Sequence, residues 1–425
     1  MDYRQTTEYL FRQLPMFERD GNKGYKSGLQ TSLALDLHSG CPHKRYKTIH
    51  VAGTNGKGSC SHTIAAALQL EGYKVGLYTS PHLVDFRERI KVDGQPISED
   101  YVVKYVRDEM AFFEPLHPSF FELTTAMAFK YFMEKEVDYA VIEVGLGGRL
   151  DCTNIINPEL CVITNIGFDH TQFLGNTLES IATEKAGIIK SGVPVIIGES
   201  TRETNVVFEK IAQEKNAPII FADDSEHKEI TGTERLADGK ILYKTRRNGN
   251  IIGELGGDCQ IKNSNTILAA LNYIRCKPES ISGAFANVVG LTGLMGRWQT
   301  VMNCPTVVCD TGHNVEAWRY ISLQLRGITC RQMRIIFGMV NDKDLDGVIN
   351  LLPKNATYYF TQAENKRAVP AKDIMDRAKR FSLSGKCFET VGEAFASAIQ
   401  DSQADDFVFV GGSSYVVADF LKGRC

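Results

Sequence analysis

The sequence predicts two α/β domains in tandem, the first built around a P-loop and the second a smaller Rossmann-like fold. Three observations predict it. A β-branched run, Lys47-Thr48-Ile49, leads into a glycine-rich stretch at residues 50–59 (HVAGTNGKGS), and an apolar-faced helical segment at 60–70 follows. Short apolar strands then alternate with helical segments as far as residue 222, the pattern of a parallel sheet. A second alternation begins after residue 297, with strands expected at 306–309, 334–337, 357–361 and 407–410. The expected domain boundaries are 1–296 and 297–425.

Composition narrows the classes. A hydrophobic fraction of 43% and a charged fraction of 23% are ordinary for a globular chain of 425 residues. The formal net charge of -3 gives no electrostatic reason to expect nucleic acid or an anionic membrane as partner. No apolar run approaches the roughly 20 residues that span a bilayer. The start, Met1-Asp2-Tyr3-Arg4-Gln5, lacks a signal peptide's charged and apolar regions, so a cytoplasmic location is expected. The 11 cysteines are scattered singly with no C-x-x-C pair, which favours reduced thiols over zinc or disulfides.

In chain order, residues 3–17 form an amphipathic pattern with Tyr9, Leu10, Leu14 and Phe17 on one side. A polar loop is expected at 21–28 and a second helix at 29–37. The turn at 53–59 is a phosphate cradle by its chemistry. Glycines let backbone N–H groups approach oxygens, a helix N-terminus adds partial positive charge, and Lys57 adds a full one. Thr54, Asn55, Gly56, Lys57, Gly58 and Ser59 are the contact candidates, with the Ser59 hydroxyl placed to reach a phosphate-bound magnesium. The spacing departs from G-x-x-x-x-G-K-[ST], because Gly58 separates Lys57 from Ser59.

A strand at 75–78 delivers Thr79-Ser80-Pro81-His82-Leu83. Ser119 and Glu122 form a capping box for a helix at 119–134 that begins with Phe120 and Phe121. A strand at 139–144 carries Glu143, a carboxylate that is costly inside a buried strand unless it meets a cation. The string Glu143-Val-Gly-Leu-Gly-Gly-Arg-Leu-Asp151-Cys-Thr-Asn-Ile-Ile156 then turns through glycines. A strand at 160–165 ends in Ile166-Gly167-Phe168-Asp169-His170, at the edge where open α/β sheets bind ligands. Lys185 lies on a helix at 177–190 and, with Glu184 beside it, reads as a surface lysine on chemistry alone. Strands at 193–198 and 218–222, an antiparallel insertion at 223–257 and a helix at 260–276 follow.

These strings resemble one family closely. GTNGKGS, TSPHL, the GLGGRLDCTNII string and EKAG are similar to the motifs of the folylpolyglutamate and dihydrofolate synthases, the folate branch of the Mur ligase superfamily. Gln260-Ile-Lys-Asn263 resembles the family's H-Q-x-x-N element, with Cys259 where histidine is common. Gly296-Arg297-Trp298 resembles P-G-R-[FW], with Met295 for proline. Asp310-Thr-Gly-His313-Asn314 resembles D-G-A-H-N.

The resemblance implies an ATP-dependent ligase that phosphorylates a substrate carboxylate and couples the acyl phosphate to L-glutamate. The carboxylate is expected to be dihydropteroate, a reduced folate already bearing glutamate, or both. It implies Ser59, Ser80, Glu143 and His170 as magnesium ligands, two ions in all. Lys57 and Arg297 would meet ATP phosphates, with Asn263 and Asp310 also contacting ATP. His82, Phe120, Phe121 and Asp151 would contact the pterin-bearing substrate, and His313, Ser413 and Tyr415 glutamate. Lys185 would be carbamylated by carbon dioxide. Cys152 replaces the family's usual alanine. A monomer is expected. The rival readings are a cell-wall Mur ligase, which lacks the GLGGRLDCTNII string, and a P-loop switch protein that would release phosphate without glutamate.

Overall fold

A computed structural model of the chain describes residues 1–15 and 28–423. The chain divides into two units. Unit 1 comprises Met1–Gly167, Thr171–Glu254 and Lys262–Leu294, and unit 2 comprises Phe168–His170, Leu255–Ile261 and Met295–Cys425.

Unit 1 is organised on an eight-stranded sheet among the described residues. Its strands are β1 (Lys47–Ala52), β2 (Val75–Tyr78), β3 (Ile90–Val92), β4 (Gln95–Pro96), β5 (Tyr139–Glu143), β6 (Leu160–Ile163), β7 (Val195–Ile197) and β8 (Ile219–Phe221), in the order β4-β3-β2-β5-β1-β6-β7-β8. All neighbours from β2 to β8 pair in parallel, whereas β3 and β4 run antiparallel. Burial on both faces explains the continuous apolar runs. Ala140 and Ile142 face one core with Phe129 and Phe132, and Cys161, Ile163, Val195 and Ile197 face the other with Ile188 and Phe208. The insertion is a three-stranded antiparallel sheet, β9 (Ile230–Arg235), β10 (Ile241–Thr245) and β11 (Asn250–Gly253), as its composition predicts.

Unit 2 carries a six-stranded sheet in the order β12-β13-β17-β14-β15-β16. The strands are β12 (Gln299–Asn303), β13 (Thr306–Asp310), β14 (Met333–Phe337), β15 (Thr357–Phe360), β16 (Gly385–Cys387) and β17 (Phe407–Gly411). Only β12 is antiparallel to its neighbour. Trp318, fully buried, packs edge-on against Phe337 and Phe409. Its indole N–H donates to the Gly312 carbonyl at 3.2 Å, which ties the loop after β13 to the core.

Several element ends differ from expectation. The first helix is Tyr3–Gln13, capped by Asp2, and both Phe17 and most of the 21–28 loop lie outside the described residues. The helix after the phosphate loop begins at Lys57, so Gly58 and Ser59 belong to its first turn. Glu143 is the last residue of β5, buried and in register with Val51, so the expected carboxylate in a buried strand is present at its carboxyl end. The capping box of Ser119 and Glu122 is present, opening Phe120–Glu134. The helix carrying Lys185 is shorter than expected, Leu178–Ala186, because the chain turns at Gly187.

Candidate active site

The parallel strands β2, β5, β1 and β6 end at one edge, and the unit 1 motifs follow their last residues. Leaving β1, the chain enters the phosphate loop. Gly53 has φ +147°, and a Cβ there would stand 1.8 Å from Thr164 Oγ1. Gly56 has φ +83°, and a Cβ would stand 2.2 Å from Asn263 Oδ1. Only glycine meets both demands at these positions. The loop is clamped from the end of β6. Thr54 N donates to Asn165 O at 3.0 Å, Asn55 N to Asn165 Oδ1 at 2.9 Å, and Thr164 Oγ1 to Asn55 O at 2.5 Å. Thr54 Oγ1 donates to Gly167 O at 3.1 Å.

The helix Lys57–Leu70 starts from Gly56 with no side-chain cap among the described residues. By contrast Ser119, Thr177 and Thr201 each cap theirs. Its first N–H groups are the donors that suit an anion. Two ammonium groups converge on the loop. Lys57 Nζ donates to Gly53 O at 3.1 Å and to Thr54 O at 3.2 Å, and Lys185 Nζ donates to the same Gly53 O at 3.0 Å. Lys185 is only 4% exposed, which overturns the surface reading. Its neighbour Glu184 pairs instead with Arg149 at 2.8 Å. Ser59 is buried in the first turn. Glu143 is buried, and its Oε2 accepts from Ser80 N at 3.0 Å, so β5 and β2 bring these two residues together.

The remaining unit 1 candidates form a second group. His82 Nδ1 accepts from Arg89 Nε at 2.7 Å, and the Arg89 guanidinium lies 5.0 Å from the centre of the Phe120 ring. Phe120 is a core residue, 1% exposed, while Phe121 is partly buried, stacks on Tyr78 at 5.7 Å and blocks any side chain at Gly145. Asp151 is buried and organises the glycine turn. Its Oδ2 accepts from Leu146 N at 2.8 Å, and its Oδ1 from Thr153 N at 3.0 Å and Thr153 Oγ1 at 2.5 Å. Burial raises its pKa, against the pull of these hydrogen bonds.

In unit 2 the loop after β13 gathers the other motif. Asp310 Oδ1 accepts from Gly312 N and Oδ2 from Trp298 N, each at 2.8 Å. Burial raises its pKa, and the Arg297 charge pulls it back. Arg297 donates to the Thr311 hydroxyl and, at 3.2 Å, to Gly296 O. Ser413 caps the helix Ser414–Lys422 by accepting from Val416 N at 3.2 Å, and Tyr415 lies in that helix's first turn.

A cluster around Asp169 escaped the sequence reading. Its carboxylate accepts from Lys343 Nζ, from Asn314 Nδ2 at 3.1 Å and from His313 Nε2 at 3.3 Å, while His170 N donates to Oδ1 at 2.8 Å. Burial works to raise the Asp169 pKa, but the His313 hydrogen bond and the charges of His170 and Lys343 hold it well below the usual carboxylate range. His170 falls in unit 2 with this cluster, whereas Ser59, Ser80 and Glu143 fall in unit 1. The signals for it were a carboxylate closing an apolar run in Ile166-Gly167-Phe168-Asp169 and a lone lysine between two acids, Asp342-Lys343-Asp344, just after a strand.

A phosphate loop on one parallel sheet, followed by a second α/β unit, is the arrangement of the Mur ligases. The chain matches the Mur ligase middle domain over residues 51–271 and the Mur ligase glutamate ligase domain over residues 296–414. It is 33% identical over 414 residues to the dihydrofolate synthase/folylpolyglutamate synthase of Bacillus subtilis, a match covering 94% of this chain and 95% of that protein. Among solved structures, Escherichia coli FolC in complex with DHPP and ADP superposes with a TM-score of 0.86 at 30% identity, covering 100% of this chain and 98% of the other. The bifunctional folylpolyglutamate synthase/dihydrofolate synthase of Yersinia pestis complexed with AMPPNP and Mn ion gives 0.82 at 27%, covering 100% and 98%. Within the Mur ligases, the chain belongs to the dihydrofolate synthase/folylpolyglutamate synthase family and is an ATP-dependent ligase of folate metabolism. No helix among the described residues is long and apolar enough to cross a membrane.

Proposed function

We propose that this ligase joins L-glutamate both to dihydropteroate and to reduced folates, through an acyl phosphate made from ATP. The observation that carries the reading is the convergence of Lys57, Lys185 and an uncapped helix N-terminus on the Gly53–Gly56 turn. Lys57 and the helix N-terminus bring positive charge to one backbone turn, which suits a polyphosphate, and Lys185 reaches the same turn. The relatives with ADP, AMPPNP, DHPP and Mn ion support a nucleotide, a divalent metal and a pteroyl substrate here.

The residues fit Mg2+. Ser59 and Ser80 offer oxygen donors, and Glu143 adds a buried carboxylate. No cluster of three or more His, Cys, Asp or Glu gathers for a metal among the described residues. Mg2+ held by one carboxylate, hydroxyls and phosphate oxygens matches that supply, and His170 is the proposed ligand of a second ion. Bound Mg2+ would supply neutralisation of phosphate charge. Lys57 and Arg297 neutralise the transferring phosphoryl group from the protein side, and Asn263 and Asp310 position the nucleotide. His82, Phe121 and Asp151 orient the pteroyl carboxylate substrate, with Phe120 holding their support from the core. His313, Ser413 and Tyr415 hold glutamate.

Lys185 is proposed to react as a neutral amine with carbon dioxide, forming an N–C bond and releasing one proton. Lys185 is buried, and burial favours the neutral form of an amine, which is the form that reacts. The two proposed domains are 1–296 for ATP and pterin and 297–425 for glutamate, acting as a monomer. ADP release measured with dihydropteroate, with tetrahydrofolate monoglutamate and with a muropeptide, each with and without glutamate, tests the function. Glutamate-dependent release with both pteroyl substrates is expected. Release without glutamate, or with the muropeptide alone, refutes it.

A further inference from the structure

His50 is a polar residue with no part in the chemistry above. It lies in β1, three residues before Gly53, and is fully buried. An imidazole in a buried strand is costly unless its N–H is used. Its Nε2 stands 2.9 Å from Thr153 Oγ1, and the same hydroxyl stands 2.5 Å from Asp151 Oδ1. Thr153 is itself fully buried.

The donor and acceptor roles follow. The carboxylate can only accept, so the Thr153 hydroxyl gives its proton to Asp151 and turns a lone pair to His50. His50 must then carry its proton on Nε2, while Nδ1 has no hydrogen-bond partner. Burial, helped by the Lys190 charge, pushes the His50 pKa down to about 3, which keeps the ring neutral. The chain of donors therefore runs one way, from His50 through Thr153 to Asp151. Thr153 N donates to the same Oδ1 at 3.0 Å, so one carboxylate oxygen is held by two donors from a single residue. Such a chain fixes the plane of the carboxylate across 103 residues of sequence.

Resting on the proposed role of Asp151 toward the pteroyl substrate, we infer that Thr153 and His50 are positioning residues that fix the Asp151 carboxylate for that substrate. The hydroxyl of Thr153 is the link that a valine lacks and a serine keeps.

The test is steady-state kinetics on the full chain with dihydropteroate as probe, comparing wild type with Asp151→Ala, Thr153→Val, Thr153→Ser and His50→Leu. Thr153→Val is expected to raise KM for dihydropteroate at least tenfold with KM for ATP changed less than twofold. Thr153→Ser should return KM to within about threefold of wild type, and His50→Leu should move KM in the same direction as Thr153→Val. A Thr153→Val enzyme with unchanged KM for dihydropteroate, beside a severely impaired Asp151→Ala, overturns the positioning role and leaves the Asp151 reading standing. An unimpaired Asp151→Ala overturns both. Equal rises in both KM values show a general structural lesion and also overturn it. Should Thr153→Val fail to fold, 15N NMR of the wild-type imidazole decides: the neutral Nε2–H tautomer is expected, and the Nδ1–H tautomer refutes the donor chain.

Discussion

Replacing Asp169 by alanine removes an acceptor shared by three side chains at once. Lys343 and Asp169 side chains are each 8% exposed, and the same carboxylate also accepts from His313 and Asn314. Among the described residues, removing Asp169 leaves the buried Lys343 charge with only the Asp342 carboxylate, 4.0 Å away, so the loss is at most the roughly 3–5 kcal/mol of a fully broken buried pair. The neighbouring hydrogen bonds are not added to that figure, because their effects overlap in one network. In thermal unfolding the loss corresponds to a fall in Tm on the order of 10 °C. A chain of two units need not unfold in one step, so the readout must be local. The two tryptophans, Trp298 and Trp318, both lie in unit 2, which makes their fluorescence that readout. The Asp169 pKa is depressed in the folded state, so its contribution is present above the unfolded value of about 3.9 and is lost as pH falls through the lower folded value. Wild-type and Asp169→Ala transitions should therefore converge in acid. Adding Lys343→Met to Asp169→Ala should recover part of the loss by removing the buried charge. A loss under about 1 kcal/mol at neutral pH, or no recovery in the double variant, refutes a desolvated pair.

Three further outcomes are expected. Lys57→Ala should cut turnover by orders of magnitude in a folded protein, and near-normal ligation would rule the loop out as the ATP site. Gly53→Ala forces a Cβ against Thr164 at a left-handed backbone and should weaken ADP binding at least tenfold by calorimetry, whereas Gly392→Ala, with open space around it, should leave ADP binding unchanged. Lys185→Ala should lose most activity and regain part of it with added short-chain carboxylates, while 13C-labelled bicarbonate should give the wild type a carbamate signal that Lys185→Ala lacks.

What could be read in advance was what local chemistry dictates. The turn at Gly53–Gly56 was legible because strand, glycines, lysine and helix occur consecutively in the chain. The capping box at Ser119 and Glu122 was legible for the same reason. The antiparallel insertion showed in its polar, glycine-spaced composition. The strand β12 was missed because its sequence, Gln299–Asn303, is mostly polar, and β16 because Gly385–Cys387 is an exposed edge with no apolar signal. The chemistry of its neighbours alone placed Lys185 at the surface, and only the resemblance of the EKAG string gave it a role, because the turn of its helix toward the Gly53 carbonyl leaves no local signal. The Asp169 cluster joins residues up to 174 positions apart, and no window along the chain contains both ends.

That separation has a consequence for how the protein is made. At roughly 5–20 residues per second, Lys343 is synthesised about nine to thirty-five seconds after Asp169. During that interval unit 1 can complete its sheet, since its last segment ends at Leu294. Asp169 meanwhile waits as a hydrated carboxylate in a short stretch whose partners have not yet left the ribosome. A gene cut after Leu294 would thus give a downstream fragment with Lys343, His313 and Asn314 but without the carboxylate they share. The two units are successive in synthesis, yet the second cannot be supplied by its own stretch of message alone.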